Sequence, residues 1–219
     1  MFPIIISTIL ALTVFAKQPS LAHALIAQDS KQVIADKQYS LADRYSNTFV
    51  NNVFSDNILL TLAYMRGEAK EDQPVDWSKV TSDFTYTMVL QPGETFAFHD
   101  EVLPEYQGKV AFTTNAHFNS TEGFKSDGWL VADGVCHLAS FMNVAARNAG
   151  LTVVSPTPHN FAAIPDVPKE FGVAIYYMPN EVGSSSLQNL YITNSFDKPV
   201  SFVFKHTGTT LDITVEKDK

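Results

Sequence analysis

Asp133-Gly134-Val135-Cys136-His137-Leu138-Ala139-Ser140-Phe141-Met142-Asn143-Val144-Ala145-Ala146-Arg147-Asn148-Ala149-Gly150-Leu151 is the stretch that decides how the rest of the chain reads. Leu138, Phe141, Met142, Ala145 and Ala149 recur at helical spacing and make one apolar stripe, while Ser140, Asn143 and Arg147 fall on the other side. Gly150 followed by Leu151 is a C-terminal stop, and Asp133 has the chemistry of an N-cap. One amphipathic helix is therefore expected here, starting near Cys136.

Outward from this helix the period changes. On its N-terminal side Phe84, Tyr86, Phe96 and Phe98 alternate in short runs broken by Gln91-Pro92-Gly93, the pattern of strands and turns. On its C-terminal side strands are expected over 151–154, 172–178 and 190–193, then a pair over 199–204 and 210–215 turning near Thr207-Gly208. Upstream, 29–67 reads as helical from Val33, Ile34, Leu41, Tyr45, Phe49 and Val53, with a second helix over 56–65 capped by Asp56. The expectation is an α+β fold: an N-terminal helical region (25–79), then a mostly antiparallel sheet with one central helix (80–219), both parts sharing one core.

The first residues differ from all of this. Phe2 to Ala16 is almost wholly apolar and is followed by Ala22-His23-Ala24, a small-residue site of the kind signal peptidases cut. Residues 1–24 therefore read as a secretory signal, with an uncleaved N-terminal anchor as the alternative, although the run is shorter than the roughly 20 residues a spanning helix prefers. No membrane span is expected after its removal. Losing Lys17 with the signal leaves 14 basic against 23 acidic residues, a formal charge of −9 that argues against nucleic acid as a partner.

Cys136 is the only cysteine, so no internal disulfide can form, and an exported protein that keeps one thiol has either a buried hydrophobe or a reactive group there. A position in the first turn of a helix favours a thiolate by only about 1 kcal/mol, so a cationic partner is required to bring its pKa below roughly 7.5. His137 points about 100° away around the helix and is expected to line the site or face solvent. His159, in Pro156-Thr157-Pro158-His159-Asn160, follows the strand that returns along the helix. Eight or nine extended residues retrace the helix, which places a His159 ring nitrogen within about 5 Å of the sulfur. His99 and His117 lie in turn-like, polar segments and read as exposed structural residues. No metal-ligand spacing is present, and neither a metal nor a cofactor is expected.

Leu90-Gln91-Pro92-Gly93-Glu94-Thr95-Phe96-Ala97-Phe98 is similar to a PGExFSFN segment, and Gly134-Val135-Cys136-His137-Leu138 to a GGGICQ segment, in the VanW family of the bacterial cell envelope. The resemblance runs from about Asn57 to the last strands. It implies cell-wall work outside the membrane, with peptidoglycan stem peptides as partners and cysteine-dependent L,D-transpeptidation as the associated chemistry. Cys136 would then be the nucleophile and His159 the base, with amides near Gly134 holding the oxyanion and His137 lining the site; water as acceptor would make a carboxypeptidase instead. Departures from the family pattern are Ala132-Asp133 in the glycine run, His137 in place of Gln, and Glu170-Phe171-Gly172-Val173 in place of a Gly-x-Asp-Ala segment. With that Asp missing, Asp166 or Asn160 is left to orient His159. The alternative is a non-catalytic envelope or peptidoglycan-binding module with a structural Cys136.

Cleavage after Ala24 is the first testable expectation. The intact mass of the exported protein should correspond to a chain beginning at Leu25, and a full-length, membrane-retained product would exclude the cut.

Overall fold

Strand β7 (Val200–Thr207) alternates buried Phe202, Phe204 and His206 with more exposed positions, and turns at Gly208 into β8 (Thr210–Asp218), where Leu211, Ile213 and Val215 point the same way. Gly208 has φ 59°, the left-handed conformation that a tight hairpin requires. The computed structural model describes residues 31–178 and 183–219, and the expected signal over 1–24 lies outside them.

Among the described residues there are two four-stranded sheets, and the fold is α+β. The first has the order β1-β8-β7-β2, with β1 at Lys31–Ser40 and β2 at Phe84–Leu90. The second has the order β4-β3-β6-β5, with β3 at Thr95–Ala97, β4 at Val110–Phe112, β5 at Thr152–Val154 and β6 at Tyr191–Thr193. The pairs β2/β7, β7/β8, β3/β6 and β5/β6 are antiparallel, whereas β3 and β4 are parallel. Helices are α1 (Thr48–Met65), the short α2 (Trp77–Val80), α3 (Val135–Asn148) and the short α4 (Ser184–Leu187). Among the described residues no helix is long and apolar enough to cross a membrane.

Helix α3 lies in the core. Leu138, Phe141, Met142 and Ala145 are buried, and the Phe141 ring stacks on Tyr39 of β1 at 3.8 Å. The polar turn before β3 is structural: Glu94 accepts a hydrogen bond from the Gln91 amide at 2.7 Å, and Gly93 donates to the Asn194 carbonyl.

Three expectations are corrected. Residues 31–40 form a strand and not a helix, because the edge of β8 offers backbone pairing that no local pattern shows. The expected two helices are one, α1, capped by the Asn47 carboxamide, which accepts from the Phe49 and Val50 amides; Asp56 lies inside it and pairs with Lys125 at 2.6 Å. The segment 172–178 is extended but forms only an isolated bridge between Pro158 and Val173, because most of its backbone groups are bonded to side chains and loop carbonyls.

The start of α3 is set by α1. Buried Asn57 donates to the carbonyls of Lys125 and Asp133 at 3.0 and 2.8 Å and accepts from the Lys125 amide at 2.8 Å, which fixes the loop that leads into α3. Gly134, and not Asp133, is the N-cap, with φ 100° and no side-chain cap. A Cβ at Gly134 would lie 2.4 Å from the Phe54 carbonyl oxygen, so both the left-handed backbone and the close crossing demand glycine. Gly134→Ala should lower the unfolding free energy by at least about 2 kcal/mol, read as a lower urea midpoint at unchanged slope. A midpoint equal to the parent's would refute the crossing constraint.

Candidate active site

Cys136 sits in the first turn of α3, half-buried. Its sulfur accepts from the Ile175 amide at 3.3 Å and lies 3.7 Å from the Ile175 carbonyl oxygen, to which the thiol donates. One turn on, Ser140 donates to the Cys136 carbonyl at 2.7 Å and accepts from the Val173 amide at 2.9 Å. A further turn on, Asn143 donates to the Phe171 carbonyl at 2.9 Å. Cys136, Ser140 and Asn143 thus form a polar stripe that holds the segment 171–175 against the helix. Ser140 and Asn143 are fully buried, so the polar side of α3 is an internal contact here as well.

Cys136 opens onto a cavity of about 490 Å³, whose wall includes His137, His159, Asp133, Arg44, His117 and Tyr177. Its mouth is apolar, with exposed Tyr45, Leu130, Phe161 and Tyr176. Three polar atoms on this wall are buried without a partner: His137 Nδ1, Asp133 Oδ2 and Arg44 Nε.

Burial governs the charges. It pushes the Cys136 thiol up to about 11, against the hydrogen bond from Ile175, and the Asp133 carboxylate adds to the rise. This overturns the expectation of a thiol below roughly 7.5: no imidazole bonds the sulfur among the described residues, and a helix terminus is too weak to offset desolvation. His137 is pushed down to about 3 by burial, with Arg44 and His159 adding to the fall, and its ring meets Phe54 edge-on at 4.8 Å. His159 is also lowered by burial. Burial and the neighbouring Asp127 raise Asp133 to about 6.

His159 shares the cavity wall with Cys136, and its ring lies 6.4 Å from that of His137. Its amide donates to the Gly172 carbonyl at 3.0 Å, and Nδ1 lies 3.0 Å from the Ala162 carbonyl oxygen. A carbonyl can only accept, so Nδ1 carries the proton and Nε2 holds the lone pair. The structure does not bring Asp166 to this ring: its carboxylate, on a residue with φ 64°, pairs with Arg44 at 2.6 Å. Asn160 is exposed on a smaller neighbouring cavity.

His99 and His117 differ from their reading as exposed residues. His99 is fully buried, bonded to the Gln188 carbonyl and Asn189, and pushed down to about 4 by burial. His117 is half-buried on the cavity wall, with ring nitrogens 3.4 Å from Asp100 and Glu122 and its ring 4.4 Å from that of Tyr177. Ser140 and Asn143 could have been found from their spacing of four and seven residues after Cys136. Arg44 carries no comparable signal. Among the described residues no group of three or more His, Cys, Asp or Glu could hold a metal ion.

A family model described as VanW like protein matches residues 79–216. The chain belongs to the VanW-like family. The matched span contains β3, β6, β7, most of β8, all of α3, and the segment 171–175 that Cys136, Ser140 and Asn143 hold. Arg44 and α1, which set the other side of the cavity, lie outside it. No curated protein and no solved structure matches the chain.

In the resting protein Cys136 should alkylate slowly at pH 7.5, with a rate still climbing above pH 9, because a thiol near 11 is about 100-fold less ionised at neutral pH than one near 9. A rate that levels off below pH 8 would refute the burial argument. His99 and His137 should show no imidazole titration by NMR between pH 5 and 8. Their folded values lie below the unfolded 6.5, so they cost nothing above that pH and destabilise the fold progressively as pH falls toward 4, while Asp133, raised in the fold, partly offsets this below about pH 6.

Proposed function

We propose that this VanW-like protein is exported to the cell envelope and transfers acyl groups of peptidoglycan stem peptides through a thioester at Cys136, in the manner of an L,D-transpeptidase. The observation that carries the reading is the placement of Cys136, at a helix N-terminus, on one cavity wall with His159. The apolar run before Ala22-His23-Ala24 supports export.

The electrostatics favour a neutral resting pair over a preformed ion pair. Burial raises the thiol and lowers the imidazole, so a protonated sulfur faces a cavity with an unprotonated His159. Proton removal then accompanies attack on the bound substrate carbonyl, as in general-base catalysis by serine enzymes. His159 Nε2 takes the thiol proton and returns it to the leaving amine as the S–C bond forms and the peptide C–N bond breaks. In this reading the amide of Cys136, together with the Ile175 amide once it leaves the sulfur that it bonds at rest from 3.3 Å, holds the oxyanion.

The polar stripe favours a second reading. A sulfur bonded on both sides to Ile175, in line with two purely structural side chains, suits a non-catalytic peptidoglycan-binding module as well. Incubation with purified stem peptides separates the two. Acyl transfer predicts a mass adduct on Cys136 and a trimmed or cross-linked product, lost in Cys136→Ala and reduced at least about 100-fold in His159→Ala. Binding of stem peptide with neither adduct nor product would leave the module reading standing.

A further inference from the structure

Trp129, Leu130 and Val131 stand at the tip of a loop closed by a bridge between Ser126 and Val131, and they are 91%, 60% and 45% exposed. Leu130 and Val131 lie on the rim of the Cys136 cavity, and so do Tyr45 and Phe161, the latter 75% exposed. Among the described residues, Trp129 and Phe161 are the most exposed large apolar side chains. Apolar surface gathered round one opening marks a docking site.

We infer that this rim docks on the headgroup–acyl boundary of a lipid bilayer, with Trp129 and Leu130 inserted and the mouth of the Cys136 cavity turned to the membrane. The shape of the tip favours lipid over a protein or a glycan. Neighbouring side chains on an extended or turning backbone point to different sides, so three consecutive exposed apolar residues cannot all rest on one flat partner. A medium that surrounds the tip covers all three. Trp and Tyr beside aliphatic residues are also the composition of a membrane interface.

The backbone of the tip is prepared for an apolar surrounding. A chain that enters lipid must satisfy its polar groups internally. Here the Gly128 amide donates to Ser126 Oγ at 3.0 Å, and the amides of Trp129 and Leu130 donate to Asp127 Oδ1 at 2.9 and 3.4 Å. Charge is sparse as well: the rim segments 45–50, 128–132 and 160–164 contain no Lys, Arg, Asp or Glu, in a chain that is 17% charged. The one carboxylate of the loop, Asp127, stands at its base with an oxygen on those amides. The rim therefore adds little repulsion toward an anionic headgroup layer, although the chain as a whole carries a formal charge of −8. A bilayer is at hand in either reading of the first residues, since the apolar run brings the chain to a membrane as a cleaved signal or as an anchor.

The experiment titrates the full protein with vesicles of phosphatidylethanolamine and phosphatidylglycerol and follows the emission of Trp129. Its signal is isolated as the difference from Trp129→Phe, because the other tryptophan, Trp77, lies under Lys125. A blue shift is expected, with quenching when the lipid acyl chains are brominated, and both should persist in high salt because the contact is apolar. Leu130→Asp and Phe161→Asp, at exposed positions, should each raise the lipid concentration at half-quenching at least about tenfold, with the urea midpoint of the parent. Sedimentation with vesicles while Trp129 stays unquenched would assign membrane contact to the N-terminal run and overturn the inference. A dimer that Leu130→Asp dissolves, or a Trp129 shift given by purified glycan strands and not by vesicles, would overturn it in favour of a second copy or a glycan.

Discussion

The contact on which the rest of the structure depends is the polar stripe of α3 against the segment 171–175. Cys136, Ser140 and Asn143 replace a neighbouring strand for that segment: they meet the amides of Ile175 and Val173 and the carbonyl of Phe171. On its other side the same backbone is bonded to Thr157 and His159, and farther along to Gln188. A buried backbone must find a partner for its polar groups, and here half of them are supplied by side chains. The consequence is positional. The segment carries the cavity wall formed by Ala174, Ile175 and Tyr176, and through Gly172 it fixes the backbone of His159.

The helix that bears the stripe is held just as tightly at its start. Asn57 fixes the preceding loop and Gly134 touches the backbone of Phe54, so the first turn of α3 has no freedom to drift from α1. Arg44 ties the other side, spanning from the segment before α1 to Pro165 and Asp166 while lying over the Phe141 ring. The result is a cavity in which ionisable groups are enclosed faster than they are paired. Desolvation raises Cys136 and Asp133 and lowers His137 and His159, each toward its neutral form.

Membership of the VanW-like family covers this machinery unevenly. The matched span contains the nucleophile candidate, the stripe and the segment they hold. The helix and the arginine on one side of the cavity precede it, so that side is drawn from a part of the chain the family model does not describe.

The sequence by itself determined the elements whose signals are local: the apolar stripe and glycine stop of α3, the β7–β8 hairpin with its Gly208 turn, and the short alternating runs of β2 and β3. It also singled out Cys136 and His159, because one thiol and one returning histidine are visible in any reading of the chain. Tertiary structure decided what depends on distant partners. Residues 31–40 became a strand because β8 had an edge to fill, 172–178 lost its ladder because α3 side chains took the hydrogen bonds, and Ser140 and Asn143 went inside with them. Asp166 turned to Arg44 across 122 residues and left His159 to a carbonyl three residues away. The thiol's pKa was decided in the same way, since a helix terminus is written in the sequence whereas desolvation arises only when the other elements close over it.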